Sequence, residues 1–302
     1  MDKQSKIILI SGPTASGKSN FAIKVAQKIN GEIINADSMQ VYKQLKIITA
    51  RPDKKHQNNI KHHLYGIIDL DKKFSTGQWL KTAIKKIKEI KKRKKIPILV
   101  GGTGLYFKAL TEGLVEIPLI PLKFRNKIRL LQKSIGQERF YKRLIEIDSL
   151  IVNKINSQDV QRSIRAYEVK LFTKKSITEW FKSTKSQFKK KDFFKLYIDY
   201  PRSELIEKIN LRTTEMLDMG VVLEVKNFLK LRVPKDKNIS KAIGITEIKD
   251  FIKKKIVKEE VIDKISIKTR QYAKRQATWA RGHMTTWKKI KPKKLNIFLK
   301  KI

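Results

Sequence analysis

The run Ile7-Ile8-Leu9-Ile10 breaks at Ser11 into Gly12-Pro13-Thr14-Ala15-Ser16-Gly17-Lys18-Ser19, which fills the pattern G-x-x-x-x-G-K-[ST] without a gap. Four apolar residues bounded by turn formers suit a buried parallel strand, and Phe21, Ala22, Val25, Ala26 and Ile29 then recur at helical spacing. A loop between such a strand and helix is a phosphate cradle. Its amides and the helix N-terminus point at an anion, Lys18 neutralises phosphoryl oxygens, and the Ser19 hydroxyl suits Mg2+. Any fold for this chain must place the loop at the C-terminal edge of a parallel sheet.

Strand and helix patterns continue to alternate. Glu32-Ile33-Ile34-Asn35 makes a second strand, with Ala36-Asp37-Ser38-Met39-Gln40-Val41-Tyr42 at its C-terminal end. Leu64 to Asp69 is apolar enough for a third. Ser75 and Gln78 have capping-box spacing, and Leu80, Ala83, Ile84, Ile87 and Ile90 carry one helical face to about Lys95. The basic run Lys91 to Lys95 reads as a solvated helix end favoured by the macrodipole. Ile96-Pro97-Ile98-Leu99-Val100 is another buried strand, ending in Gly101-Gly102-Thr103-Gly104-Leu105-Tyr106, which places Thr103 beside the phosphate loop. The fold class is therefore α/β, with a parallel sheet flanked by helices.

From about Val115 the pattern changes. Ile117-Pro118-Leu119-Ile120-Pro121 punctuates the chain, and Phe124 to Ile135, Glu138 to Ile147 and Val160 to Phe172 are helical, with no strand between them. Residues 115-191 read as an inserted all-helical subdomain, and residues 1-114 and 192-302 as the phosphate-loop core with a helical C-terminal part. Phe193 to Asp199 supplies a strand that rejoins the sheet. Pro201 opens a long helix carrying Leu205, Ile209, Met216, Val221 and Val225, and the remainder is read as helical.

Composition narrows the chemistry. Cysteine is absent from the 302 residues, which excludes disulfides, thiolate metal sites and a cysteine nucleophile. His62 and His63 diverge on either a helix or a strand, which favours hydrogen-bonding roles over a metal pair. No apolar run reaches the ~20 residues of a membrane span, and Met1 to Ser5 leads straight into a strand without a signal peptide, so a cytoplasmic protein with no membrane partner is expected. The net charge of +42 points to a polyanion, but 56 of the 70 basic residues are Lys in a chain also crowded with Ile, a bias that a lysine-rich genome produces unaided. Arginine is the sharper marker, since its planar fork grips phosphates. Arg125 with Arg129, Arg139 with Arg143, Arg162 with Arg165, and Arg270, Arg275 and Arg281 fall in the middle and C-terminal parts.

With these motifs in order, Gly12 to Ser19, Asp37-Ser38-Met39-Gln40-Val41-Tyr42, Gly101 to Tyr106, Gln161-Arg162-Ser163-Ile164-Arg165-Ala166-Tyr167-Glu168-Val169 and Gln271 to Trp279, the chain resembles the tRNA dimethylallyltransferases over nearly its whole length. The resemblance implies transfer of a dimethylallyl group from dimethylallyl diphosphate to N6 of adenine 37, beside the anticodon, in tRNAs reading U-initial codons. It implies a monomer whose partners are the anticodon stem-loop and the donor, with Mg2+ as cofactor, and a helical insertion that clasps the stem-loop from one side. It puts Asp37 at the family's general-base position, where the residues alone fit an N-cap or Asx turn equally well. It puts Thr103 between the reacting base and the diphosphate. Gly12, Pro13, Thr14, Ala15, Ser16, Gly17, Lys18, Ser19 and Arg212 match diphosphate positions, although a surface helix salt bridge is a fair alternative for Arg212. Asp37, Ser38, Met39, Gln40, Thr103, Arg125, Gln161, Arg162, Ser163, Ile164 and Arg165 match positions that meet tRNA, with Met39 equally suited to ordinary core. The target adenine must then leave its stack.

Two departures stand out. Lys241-Ala242-Ile243-Gly244-Ile245-Thr246 lacks the aromatic and the basic residue that the family carries after the glycine, and Pro121 and Lys123 stand where an acidic residue usually precedes Arg125. The alternative function is an ATP-dependent small-molecule or nucleotide kinase, whose arginine-rich lid and second acceptor pocket are not evident. A nucleic-acid-binding ATPase is a third reading, and it needs a carboxylate ending an apolar strand where Val100 is instead followed by Gly101.

Overall fold

A computed structural model of the chain describes residues 6–53, 59–70, 72, 74–182, 184–234 and 237–301. Met1 to Ser5, on which the expectation about a signal peptide falls, lie outside the described residues. In chain order the regular elements are β1 (Ile7–Ser11), α1 (Lys18–Ile29), β2 (Gly31–Asn35), β3 (His62–His63), α2 (Thr76–Lys92), β4 (Ile96–Gly101), α3 (Gly104–Glu112), α4 (Leu122–Ile147), α5 (Val160–Thr173), α6 (Ile177–Lys182), β5 (Phe193–Ile198), α7 (Arg202–Asp218), α8 (Val221–Lys230), α9 (Ile245–Ile252), α10 (Lys258–His283), β6 (Lys288–Ile290) and α11 (Leu295–Lys301). The chain divides into two compact units, Met1–Thr111 with Phe188–Ile302, and Glu112–Gln187.

In the first unit six strands pair in the order β3-β2-β4-β1-β5-β6, all parallel. Alternation along each strand divides its side chains between two cores. Ile7, Leu9, Ile34 and Leu99 meet Trp79, Ile87, Tyr106 and Phe107 from α2 and α3, while Ile8, Ile10, Ile33 and Ile98 meet Phe21, Ala22, Val25 and Ala26 from α1. With both faces covered, β1, β2 and β4 are buried throughout, which is why β1 and β4 read as apolar runs, while β2 buries Glu32 and Asn35 beside its two isoleucines. Trp79 is fully buried, stacks on Tyr106 at 4.2 Å and donates its indole N–H to Asn35 O at 2.9 Å. Truncating such a side chain to Ala costs about 3–5 kcal/mol.

Register fixes what the sheet presents. Ser11 pairs with Gly101 and Asn35 with Val100, so β1, β2 and β4 end at one level and the turns after them converge. The capping box of α2 forms as read: Ser75 Oγ accepts Gln78 N–H at 3.2 Å and Gln78 Oε1 accepts Ser75 N–H at 2.8 Å.

Several expectations are corrected. The third strand is His62–His63, not Leu64 to Asp69, because Leu64 at φ 65° and Gly66 at φ 58° turn the backbone, leaving Ile68 a single bridge to Tyr42. Helix α2 stops at Lys92, with Lys94 in the left-handed region at φ 56°. The long helix after Pro201 is two, since Gly220 at φ 90° separates α7 from α8 and moves Val221 and Val225 onto the second. The C-terminal part contains a strand, β6, whose two exposed lysines mask it as an edge strand. His62 and His63 take hydrogen-bonding roles: Nδ1 of His62 meets Ile60 O at 2.7 Å, and Nε2 of His63 meets Glu32 Oε2 at 2.7 Å.

The second unit is helical over its described residues. Gly136, at φ 76° and ψ 169°, kinks α4 between the two segments that the sequence separates. Phe140, Leu144, Ile151, Ala166 and Val169 are its fully buried centre.

Candidate active site

The loop after β1 curls under the N-terminus of α1. Gly17, at φ 74°, caps the helix in the left-handed region, which a residue with a side chain enters only under strain. Gly12 is held small by its surroundings, because a Cβ there would lie 2.8 Å from Ser16 Oγ and 3.2 Å from Ile198 Cβ. The first N–H groups of α1 have no intrahelical acceptor, which is the arrangement that suits an anion. Lys18 Nζ donates to Pro13 O at 3.1 Å, and Arg212 from α7 donates Nη1–H to Thr14 Oγ1 at 3.1 Å. Arg212 therefore turns into the loop instead of making the surface salt bridge that its spacing also allowed. Lys18, Ser19, Asp37, Gln40 and Arg212 line a cavity of about 370 Å³.

Charge in this cavity is mixed. Burial pulls Lys18 down to about 8, with the Asp37 carboxylate opposing that shift and Arg212 adding to it. Burial also lowers Arg212 against the pull of Asp37, and it raises the phenols of Tyr65, Tyr106 and Tyr272, each pushed further by the negative charge of Asp37. One carboxylate thus faces two cations desolvated enough to gain from a second anion.

Asp37 follows β2. Its N–H donates to Asn35 Oδ1 at 2.8 Å, and its Oδ1 accepts Met39 N–H at 2.9 Å, which is the Asx turn that the residues allowed. Asp37 also lines the cavity, so the turn holds the carboxylate where a substrate can meet it. Thr103 reaches across from the turn after β4. Its Oγ1 accepts Ser38 N–H at 3.0 Å and donates to Ser38 Oγ at 3.3 Å, while its own N–H donates to Ala36 O at 3.2 Å. This approach requires Gly101, where any Cβ would collide with the carbonyl of Ala36.

A second cavity of about 250 Å³ adjoins the first, sharing Thr14, Asp37, Thr49 and Arg212, with apolar walls from Met39, Ile48, Met216, Ala242, Ile243 and Ile265. Met39 is thus cavity wall and also packs against the neighbouring core. Gln40 has a supporting role, donating Nε2–H to Thr49 O at 2.8 Å and to Ala50 O at 3.1 Å. Sequence reasoning missed Glu224, whose carboxylate accepts the N–H groups of Lys46, Ile47 and Ile48 and so fixes the loop carrying Ile48 and Thr49. It also missed Gln276, which accepts Thr14 N–H and donates to Gly102 O, although Gln276 lies within the motif from 271 to 279. In the divergent segment, Ile245 is buried in the core and Thr246 is exposed, so the missing aromatic is a packing change.

The second unit holds the other predicted contacts. Glu168 is buried and gathers three arginines: Arg125 Nε at 3.1 Å, Arg165 Nη1 at 3.4 Å and Arg129 Nε at 3.8 Å. Gln161 and Arg162 are exposed, with Arg162 pairing loosely to Asp159 at 3.5 Å. Ser163 and Ile164 are buried, and Ser163 Oγ accepts Gln137 Nε2–H at 3.2 Å, so these two side chains pack within the unit.

A sequence model of the family described as IPP transferase matches residues 40–283. A tRNA dimethylallyltransferase from Pelagibacter ubique (strain HTCC1062) is 63% identical over 302 residues, all of this chain and 96% of that protein. The chain belongs to the IPP transferase family. A tRNA dimethylallyltransferase from Rhizobium etli (strain CIAT 652) is 40% identical over 287 residues, 94% of this chain and 97% of its own. The structure of a tRNA delta(2)-isopentenylpyrophosphate transferase from Staphylococcus epidermidis superposes with a TM-score of 0.68 at 32% identity, covering 98% of this chain and 97% of that one. A eukaryotic dimethylallyltransferase acting on tRNA superposes with a TM-score of 0.84 at 29% identity, covering 95% and 74%. The phosphate loop, the Asp37 turn and the Thr103 turn thus sit on a fold shared with enzymes of this family.

Proposed function

We propose that this family member transfers a dimethylallyl group from dimethylallyl diphosphate to N6 of adenine 37 in tRNAs reading U-initial codons, as a cytoplasmic monomer. No described helix is long and apolar enough to cross a membrane. The observation that carries the reading is the pair of adjoining cavities with Asp37 in the wall of both: one beneath the phosphate loop, with Lys18, Lys208 and Arg212 in its lining, and one walled by Met39, Ile48, Met216, Ala242, Ile243 and Ile265, with Lys241 and Arg275 also in its lining. The diphosphate takes the first and the five-carbon group the second.

The N6 lone pair forms a bond to C1 of the allyl group while the C1–O bond breaks and its electron pair leaves on the diphosphate. Lys18, Arg212 and the α1 N-terminus face the oxygens on which negative charge grows. Adenine N6 is a feeble nucleophile because its lone pair is delocalised into the ring, and the Asp37 carboxylate accepts its proton. Thr103 fixes Ser38 and thereby the turn that presents Asp37. The described residues hold no group of three or more His, Asp or Glu side chains suited to a metal, whereas the single hydroxyl of Ser19 at the cavity suits an ion that a diphosphate already carries. Mg2+ held there would offset charge on the leaving group.

ATP has no part in this scheme. Purified protein, an anticodon stem-loop and dimethylallyl diphosphate should yield a stem-loop heavier by one dimethylallyl group in mass spectrometry without ATP. A strict requirement for ATP would move the reading to the kinase class.

A further inference from the structure

Gln276 stands on α10, 262 residues from Thr14 and 174 from Gly102, yet its one amide group spans both. Oε1 accepts the Thr14 N–H at 2.8 Å and Nε2 donates to Gly102 O at 2.9 Å. The orientation is forced, because a backbone N–H can meet only the amide oxygen and a carbonyl only the amide nitrogen. The helix is seated hard against the same turn. A Cβ on Gly102 would strike Nε2 of Gln276, and a Cβ on Gly104 would strike the Trp279 ring, so the residues on both sides of Thr103 are glycines pressed against α10. One turn earlier, Tyr272 hydrogen-bonds Gln276 and lines the second cavity.

The bridge joins two pieces that no strand pairing fixes. Thr14 belongs to the phosphate loop and receives Arg212; Gly102 precedes Thr103, which orders the Asp37 turn. β1 and β4 are in register only up to Ser11 and Gly101, and both turns lie beyond that point. We propose that Gln276 is a positioning residue for the transfer, setting the distance between the loop that holds the leaving diphosphate and the turn that presents the general base. It acts through Thr14 and Gly102 and not through contact with either substrate. The inference rests on the reaction proposed above.

Misplacing reacting groups by about 1 Å costs on the order of 10²-fold in rate. Gln276→Met keeps the length of the side chain and removes its hydrogen bonds to Thr14 and Gly102 together with the one to Tyr272. It should slow single-turnover transfer by about 10- to 100-fold while the dissociation constant for the stem-loop stays within about twofold and the thermal midpoint is little changed. A side chain that served RNA binding would show the opposite split, with stem-loop affinity falling and the saturated rate preserved. Gly102→Ala displaces the same amide from the other side. If Gln276 acts through Gly102, the double variant is no slower than the slower single one, because residues acting as a unit are not additive. Unchanged turnover in Gln276→Met, a loss confined to stem-loop affinity, or multiplicative losses in the double variant would each overturn the role. Wild-type protein inert toward donor and stem-loop would overturn the reaction and this role together, which separates the two failures.

Discussion

Asp37→Asn separates proton transfer from shape. The Asp37 N–H bond to Asn35 Oδ1 at 2.8 Å is untouched by the change, and an Asn side-chain oxygen can take over the 2.9 Å bond from Met39 N–H, so the turn survives. The other carboxylate oxygen becomes an NH2, a donor facing an amine that is itself a donor. General-base contributions run at about 10²- to 10⁴-fold, which at 1.36 kcal/mol per decade is about 2.7 to 5.4 kcal/mol of barrier. A second effect travels through Lys18. Burial draws its ammonium down to about 8 and the Asp37 charge opposes this, so removing that charge lowers Lys18 further. The ammonium is the form that grips a diphosphate, present below its pKa and lost as pH rises through it. Wild-type affinity for the donor should therefore fall above about pH 8, and in Asp37→Asn the fall should begin at lower pH. Single-turnover transfer over a range of donor concentrations up to saturation, run near pH 6.5 and pH 8 beside fluorescence anisotropy of the stem-loop, reads both. The expected result is a rate reduced about 10²- to 10⁴-fold at either pH, stem-loop affinity within about twofold, and a donor KM ratio of variant to wild type that is larger at pH 8. A saturated rate within about threefold of wild type would return Asp37 to the role of a turn residue, and a KM ratio independent of pH would refute the coupling to Lys18.

Thr103→Ala leaves the Ser38 amide without its 3.0 Å acceptor and should cost about 1–3 kcal/mol in transfer, measured as kcat/KM, with a milder effect than Asp37→Asn. Arg162→Ala, at an exposed arginine held only by a 3.5 Å pair to Asp159, should weaken stem-loop binding and reduce its salt slope by about 0.7–0.9, whereas Lys92→Ala should do neither; equal losses would mean that charge density alone drives binding. Arg165→Ala should instead lower the thermal midpoint as well, because it removes one of the cations around the buried Glu168.

The sheet was legible because a strand covered on both faces writes a mostly apolar run, clearest in β1 and β4 and shorter in β2 and β5, where Glu32 and Lys195 interrupt it. β6 was not, since its edge position admits two lysines and three residues carry no period. Leu64 misled for a related reason: a buried leucine in a turn contributes to the same core as one in a strand, and pattern alone cannot see its positive φ. At the site, the loop and the two turns were legible because each follows a strand that could be read. Arg212 and Asp37 carried two readings each, and the structure adds position: Arg212 bonds Thr14 in the loop, and the Asp37 turn also lines the cavity. Glu224 and Gln276 were invisible for want of any local signal, because their partners lie 176 to 178 and 174 to 262 residues away and are backbone groups.

Gly101 carries a further consequence, for what this scaffold can become. ATPases built on the same loop end the equivalent strand in a carboxylate that holds their metal. Here the backbones of β2 and β4 come so close at their tips that Thr103 N–H reaches Ala36 O, and no side chain fits at 101. An aspartate arising there by mutation would have to pry the two strands apart, and with them the turns bearing Asp37 and Thr103. The contact that assembles an alkyl-transfer site therefore also bars a single-step route to nucleotide hydrolysis: a variant with that aspartate would lose the first activity before gaining the second.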